Sequence, residues 1–157
     1  MSDAQSSVVS VAAAVLALPH EYAHALPATV AGLPHSVTLL PDWDGRQTPL
    51  GRFEADVDAG TSPWLVRLIA VAPFALYVGV AGLVRVTVAP TGLFALGTVV
   101  LCSYWAAPSP GDVAVAIDAA TACKTGELVA PVTRRRVLLT DGFVAVTTLT
   151  VGVVLLS

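Results

Sequence analysis

The chain has 157 residues and a net charge of −3, is 55% hydrophobic and only 12% charged, and has a mean hydropathy of +0.78. Soluble domains carry about a quarter of their residues as charges, so this composition excludes an ordinary soluble domain and predicts an integral membrane protein. The mildly acidic balance, with a pI near 5.4, gives no reason to expect nucleic acid as a partner, and the length suits a single multi-pass membrane domain.

Crossing a bilayer core of about 30 Å takes roughly 20 helical residues. About four runs reach that length, approximately 8–33, 63–88, 92–107 continuing toward 112, and 137–156. The expected fold is therefore all-α, with about four transmembrane helices in the lipid bilayer and a short β-hairpin between the first and the second. The N-terminus has no basic stretch of the signal-peptide kind, so the first run is expected to stay in the mature protein.

Within that first run, Pro19 and Pro27 bracket the sequence His20-Glu21-Tyr22-Ala23-His24. Each proline removes one backbone hydrogen bond, which predicts a kinked helix. Residues 34–62 carry a cluster of acidic side chains, Asp42, Asp44, Glu54, Asp56 and Asp58. Inside this segment, 35–40 and 51–58 are β-branched or strictly alternating and flank a turn-rich 41–45, the pattern of a hairpin. The hairpin fits equally a plain connector or an edge to which an extended substrate adds as another strand.

The second run carries Arg67 near one end and Arg85 near the other, placed to reach the membrane interface. In the third, the apolar residues give way at Pro108-Ser109-Pro110-Gly111-Asp112, where two prolines and a glycine predict an unwound helix. Residues 113–122 are apolar again apart from Asp118. Glu127 belongs to a polar connection, and Asp141 near the start of the last run is placed to cap that helix or line a cavity. Cys102 and Cys123 have no spacing that demands a disulfide and are expected as free thiols.

Arg46, Arg52, Arg67, Lys124, Arg134, Arg135 and Arg136 fall on one side of such an arrangement and only Arg85 on the other. The positive-inside rule puts the hairpin and the basic run in the cytoplasm and both termini outside. Trp43, Trp64 and Trp105 fall toward the same side, as an interfacial aromatic belt would.

The chemistry is concentrated in the first run. Helical residues four apart share a face, so His20 and His24 can offer two imidazole nitrogens to one metal ion with Glu21 beside them. A catalytic zinc usually takes a third protein ligand and keeps an open position. Counted from Leu33, His24 lies nine residues inside the run (33 − 24), or about 13 Å at the helical rise. Asp112, at the far end of the third run, is the candidate of compatible depth, and Asp118 and His35 are the alternatives.

The stretch His20-Glu21-Tyr22-Ala23-His24-Ala25-Leu26 resembles the H-E-x-x-H-A-hydrophobic signature on the first core helix of the site-2 protease family of intramembrane zinc metalloproteases. The later order is similar: a hairpin with Leu39-Leu40-Pro41, a second span with Val71-Ala72-Pro73-Phe74-Ala75-Leu76, and a third ending in a Pro-rich segment with an Asp. The family's third ligand is the Asp of an N-x-x-P-x-x-x-L-D-G type motif. Asp112 matches it best, although here Gly precedes the Asp and both the Asn and the Leu-Asp-Gly order are missing. The resemblance implies one zinc ion per chain held by His20, His24 and Asp112, with Glu21 as general base. It also implies transmembrane protein substrates and an active site toward the cytoplasmic side of the cell membrane. A second class fits the same His pair: a non-proteolytic multi-span protein that binds or transports a metal.

Overall fold

The computed structural model describes residues 3–41, 50–126, 128 and 134–157. Trp43, Asp42, Asp44, Arg46 and Glu127 lie outside the described residues. The elements run α1 (Asp3–Val30), β1 (His35–Leu39), β2 (Gly51–Ala55), α2 (Pro63–Val88), α3 (Gly92–Ala106), α4 (Pro110–Ile117), α5 (Ala119–Thr125) and α6 (Arg134–Leu156).

Among the described residues, α2 and α6 are long and apolar enough to cross a membrane. The pair α3 and α4, bent by 50° at a short break, makes a third if it counts as one broken span. The four-span expectation is thus met for two helices, or three with the bent pair. Large side chains such as Leu93, Val86 and Leu149 point outward on these helices. Apolar exposure on that scale suits an apolar solvent rather than water.

What lies inside is small. Ala13, Ala17, His24 and Ala28 form the buried stripe of α1, spaced at about one helical turn so that they share a face. One core cluster joins Val66 and Ala70 of α2 to Val115, Ala119 and Ala122 of α4 and α5. Another joins Ala81 of α2, Cys102 of α3, and Val151 and Leu155 of α6. Arg67 donates from Nε to the Ala116 carbonyl at 3.2 Å and lies over the Trp64 ring, tying α2 to α4. Both cysteines are free and buried.

The expected hairpin forms between the first two long helices, somewhat shorter than its alternation. It pairs His35 with Ala55 through to Leu39 with Gly51 in antiparallel register. Bonds from Asp56 N–H to the Pro34 carbonyl and from Leu40 N–H to the Leu50 carbonyl bracket the ladder. Antiparallel bonding alternates along a strand, so the peptide groups of Gly51 and Phe53 turn away from β1, toward α1.

Three expectations are corrected. The Pro-Gly segment does not leave Asp112 in unwound chain, because helix α4 starts at Pro110 and Asp112 sits in its first turn. Asp141 lies exposed inside α6 and caps nothing at its start, because that helix begins earlier, at Arg134. Trp105 is no interfacial anchor: its ring packs on Tyr77 at 5.5 Å and its indole nitrogen is buried.

Candidate metal centre

Three elements meet at one point. Helix α1 presents His20 and His24 one turn apart, and the bend between α3 and α4 brings Asp112 against them. The His20 and His24 Nε2 atoms are 3.1 Å apart. Asp112 Oδ2 lies 3.4 Å from His20 Nε2, and its Oδ1 lies 3.3 Å from His24 Nε2.

The backbone fixes which ring nitrogens face one another. His20 Nδ1 is 2.9 Å from the Trp105 carbonyl and His24 Nδ1 is 2.7 Å from the Ile69 carbonyl. A carbonyl can only accept, so in both rings Nδ1 carries the hydrogen and, in neutral imidazole, Nε2 is a bare lone pair. Two lone pairs and a carboxylate therefore converge, a donor set suited to a metal cation. With one ligand atom from each residue, the three groups lie within 4.8 Å of one another, close enough to share a single metal ion. Imidazole N–H groups held by carbonyls are also the usual outer support of a zinc site. The residues present fit a metal ion.

Asp112 is held from behind by its own helix. Ser109 is the N-cap of α4: its Oγ accepts from the Asp112 N–H at 3.1 Å, while Asp112 Oδ2 accepts from the Ser109 N–H at 2.6 Å. This reciprocal box orients the carboxylate without using Oδ1. Exposure of the side chains is uneven: 4% for His24 against 14% for His20 and 16% for Asp112. His24 is the sealed side of the centre, and the approach lies past His20 and Asp112.

No protein-family model matches the chain, and neither a curated protein nor a solved structure matches it.

Glu21 is half-buried beside the cluster, within range of the charges on His20, His24 and Asp112, and accepts from the Phe53 backbone N–H. That contact is allowed by Gly51. A Cβ there would sit 2.8 Å from Glu21 Cγ and 2.9 Å from the Ala17 Cβ, so only glycine lets β2 lie this close to α1. Phe53 also stacks on His24, with ring centroids 5.7 Å apart.

The alternative third ligands are engaged elsewhere. Asp118 caps α5, accepting from the Thr121 N–H at 3.3 Å. His35 donates from Nδ1 to the Leu33 carbonyl at 2.9 Å and faces Thr29 through Nε2. The residues that sequence reasoning missed are Gly51, Phe53, Ser109, and Ile69 and Trp105, whose carbonyls accept from the two imidazoles. Ser109 had a local signal, since Ser-x-x-Asp is a capping-box pattern, and a glycine in an alternating strand signals close approach.

Proposed function

We propose that the chain is a zinc-dependent intramembrane endopeptidase, related to the site-2 proteases that its first motif resembles. It holds one zinc ion on His20, His24 and Asp112 and hydrolyses peptide bonds in or near the transmembrane segments of membrane proteins. The observation that carries this reading is the convergence of two imidazole nitrogens and a carboxylate within reach of one metal ion, with a fourth ionisable group, Glu21, held beside them. A purely structural ion site has no use for a partly buried extra carboxylate.

Zinc, when bound, acidifies a water molecule and polarises the scissile carbonyl. The remaining steps belong to the chain. Glu21 accepts the proton of the attacking water as its oxygen bonds to the carbonyl carbon. It then delivers that proton to the amide nitrogen as the carbon–nitrogen bond breaks. The Phe53 N–H holds the carboxylate in place for both transfers. A helical substrate has to unwind before its peptide bond can reach the base.

The distribution of Lys and Arg supports an orientation with the site on the cytoplasmic side of the cell membrane and both termini outside. The test is to purify the protein in detergent, measure zinc stoichiometry, and compare cleavage of a transmembrane peptide by wild type and Glu21→Gln. Zinc retained with cleavage lost in the variant is the expected result. Equal cleavage by both rejects the mechanism, and zinc binding with no cleavage by either favours a metal-carrying membrane protein.

A further inference from the structure

Helix α2 contains a proline that the proposed chemistry does not use. In an α-helix each N–H bonds the carbonyl four residues earlier, so the carbonyl belonging to residue 73 is that of Ile69 (73 − 4). Pro73 has no N–H to give, and its ring crowds that carbonyl off the helix axis. Pro73 and Ile69 are both among the most deeply buried residues of the chain. A carbonyl orphaned at such a place costs about 1–3 kcal/mol unless another donor reaches it. The donor that reaches it is His24 Nδ1, at 2.7 Å.

We propose that Pro73 is a positioning residue for the metal centre. By withholding an N–H, it leaves the Ile69 carbonyl open to the His24 Nδ1–H and so directs the His24 Nε2 lone pair at His20 and Asp112. This role rests on the metal-site reading above and names a residue on a different helix from the ligand it orients. An amide N–H at position 73 would draw the Ile69 carbonyl back into the helix and compete with the imidazole for it. His24 would then lose the bond that selects its metal-binding tautomer. Phe53, stacked on the same ring, supports its tilt but offers no acceptor, so it cannot select the tautomer.

Two measurements test this, neither of them peptide cleavage. In metal-free wild-type protein labelled with ¹⁵N-histidine, the His24 signal of the neutral ring, assigned by its loss in His24→Gln, should show Nδ1 protonated and Nε2 bare. The opposite tautomer overturns the proposal, and this arm needs no variant at position 73 to fold. The second arm is Co²⁺ titration of wild type, Pro73→Ala, and protein carrying lactic acid at position 73, which forms a backbone ester with neither ring nor N–H. Loss of outer support typically weakens metal binding about 10–100-fold, the loss expected for Pro73→Ala, while the ester should recover most of it. Unchanged Co²⁺ affinity in Pro73→Ala, or an ester no better than alanine, overturns the proposal. Failure of the protease reading would look different: intact tautomer and Co²⁺ binding with no peptide cleaved.

Discussion

Gly51→Ala is the sharpest probe of how the proposed base is held. The added Cβ would lie 2.8 Å from Glu21 Cγ, 3.2 Å from Glu21 Oε1 and 2.9 Å from the Ala17 Cβ. Carbon atoms in contact sit about 3.5–4.0 Å apart, so the deficit is about 0.7 Å on two sides at once. Ala17 cannot yield, because its Cβ is fixed to the backbone of α1. Either β2 lifts or the Glu21 side chain turns, and overpacking of this kind costs about 1–3 kcal/mol. Alanine is intrinsically better than glycine inside a strand, so weakening of β2 itself does not account for a loss. Both adjustments pull the carboxylate away from the Phe53 N–H, and a displacement near 1 Å is worth on the order of 100-fold in rate. The proposed ligands His20, His24 and Asp112 are untouched. The expected result is one zinc per chain with peptide cleavage slowed about 10–100-fold, and partial recovery when Ala17→Gly removes the immovable half of the clash. Wild-type cleavage by zinc-loaded Gly51→Ala refutes the account of how Glu21 is positioned.

Asp112→Ala should abolish stoichiometric zinc binding, whereas Asp118→Ala should keep it and lose only about 1 kcal/mol of stability with its cap; metal analysis of the two purified variants decides between them. Ser109→Ala should lower thermal stability by a similar amount yet retain zinc, since the bond from the Ser109 N–H to Asp112 uses the backbone; zinc lost on gel filtration would contradict this. A chelator should stop cleavage and added zinc should restore it, and His35→Ala should alter neither response, because His35 bonds Leu33 and Thr29 instead. Without metal, His24→Ala should destabilise the protein more than His20→Ala, by about 1–3 kcal/mol, because it orphans the buried Ile69 carbonyl while the more open His20 site admits water; equal unfolding temperatures in detergent would speak against that difference.

His20, Glu21 and His24 could be read from the chain because the helix period alone places them together, whatever surrounds them. The hairpin was legible for a similar reason, the alternation of 35–40 and 51–58 across a turn. Asp112 was legible as a candidate by depth, but the Pro-Gly segment around it misled: Pro110 opens a helix as readily as it ends one, and Ser109 with Asp112 forms the cap that makes it do so. Asp118 looked like a ligand because an acidic residue in an apolar run needs a reason. The reason was a cap for α5, which depends on where α4 stops. Gly51 against Glu21, and Phe53 on His24, join residues about 30 positions apart, and no periodicity within either segment encodes such contacts.

The backbone around the centre has one recurring property. Each imidazole Nδ1–H is taken by a carbonyl that its own helix cannot satisfy: Ile69 because Pro73 has no N–H, and Trp105 because α3 ends at Ala106. In surroundings of low polarity an unpaired carbonyl is costly, and so is an unpaired imidazole N–H. Broken helices and buried histidines are each unfavourable alone, and together they cancel. The same pairing that satisfies the backbone turns both Nε2 lone pairs toward Asp112, so the need to close the hydrogen-bond ledger of α2 and α3 and the need to aim the ligands have a single structural solution. His24 is held in this way before any metal arrives, because rotating its ring away from the centre would reopen the buried Ile69 carbonyl.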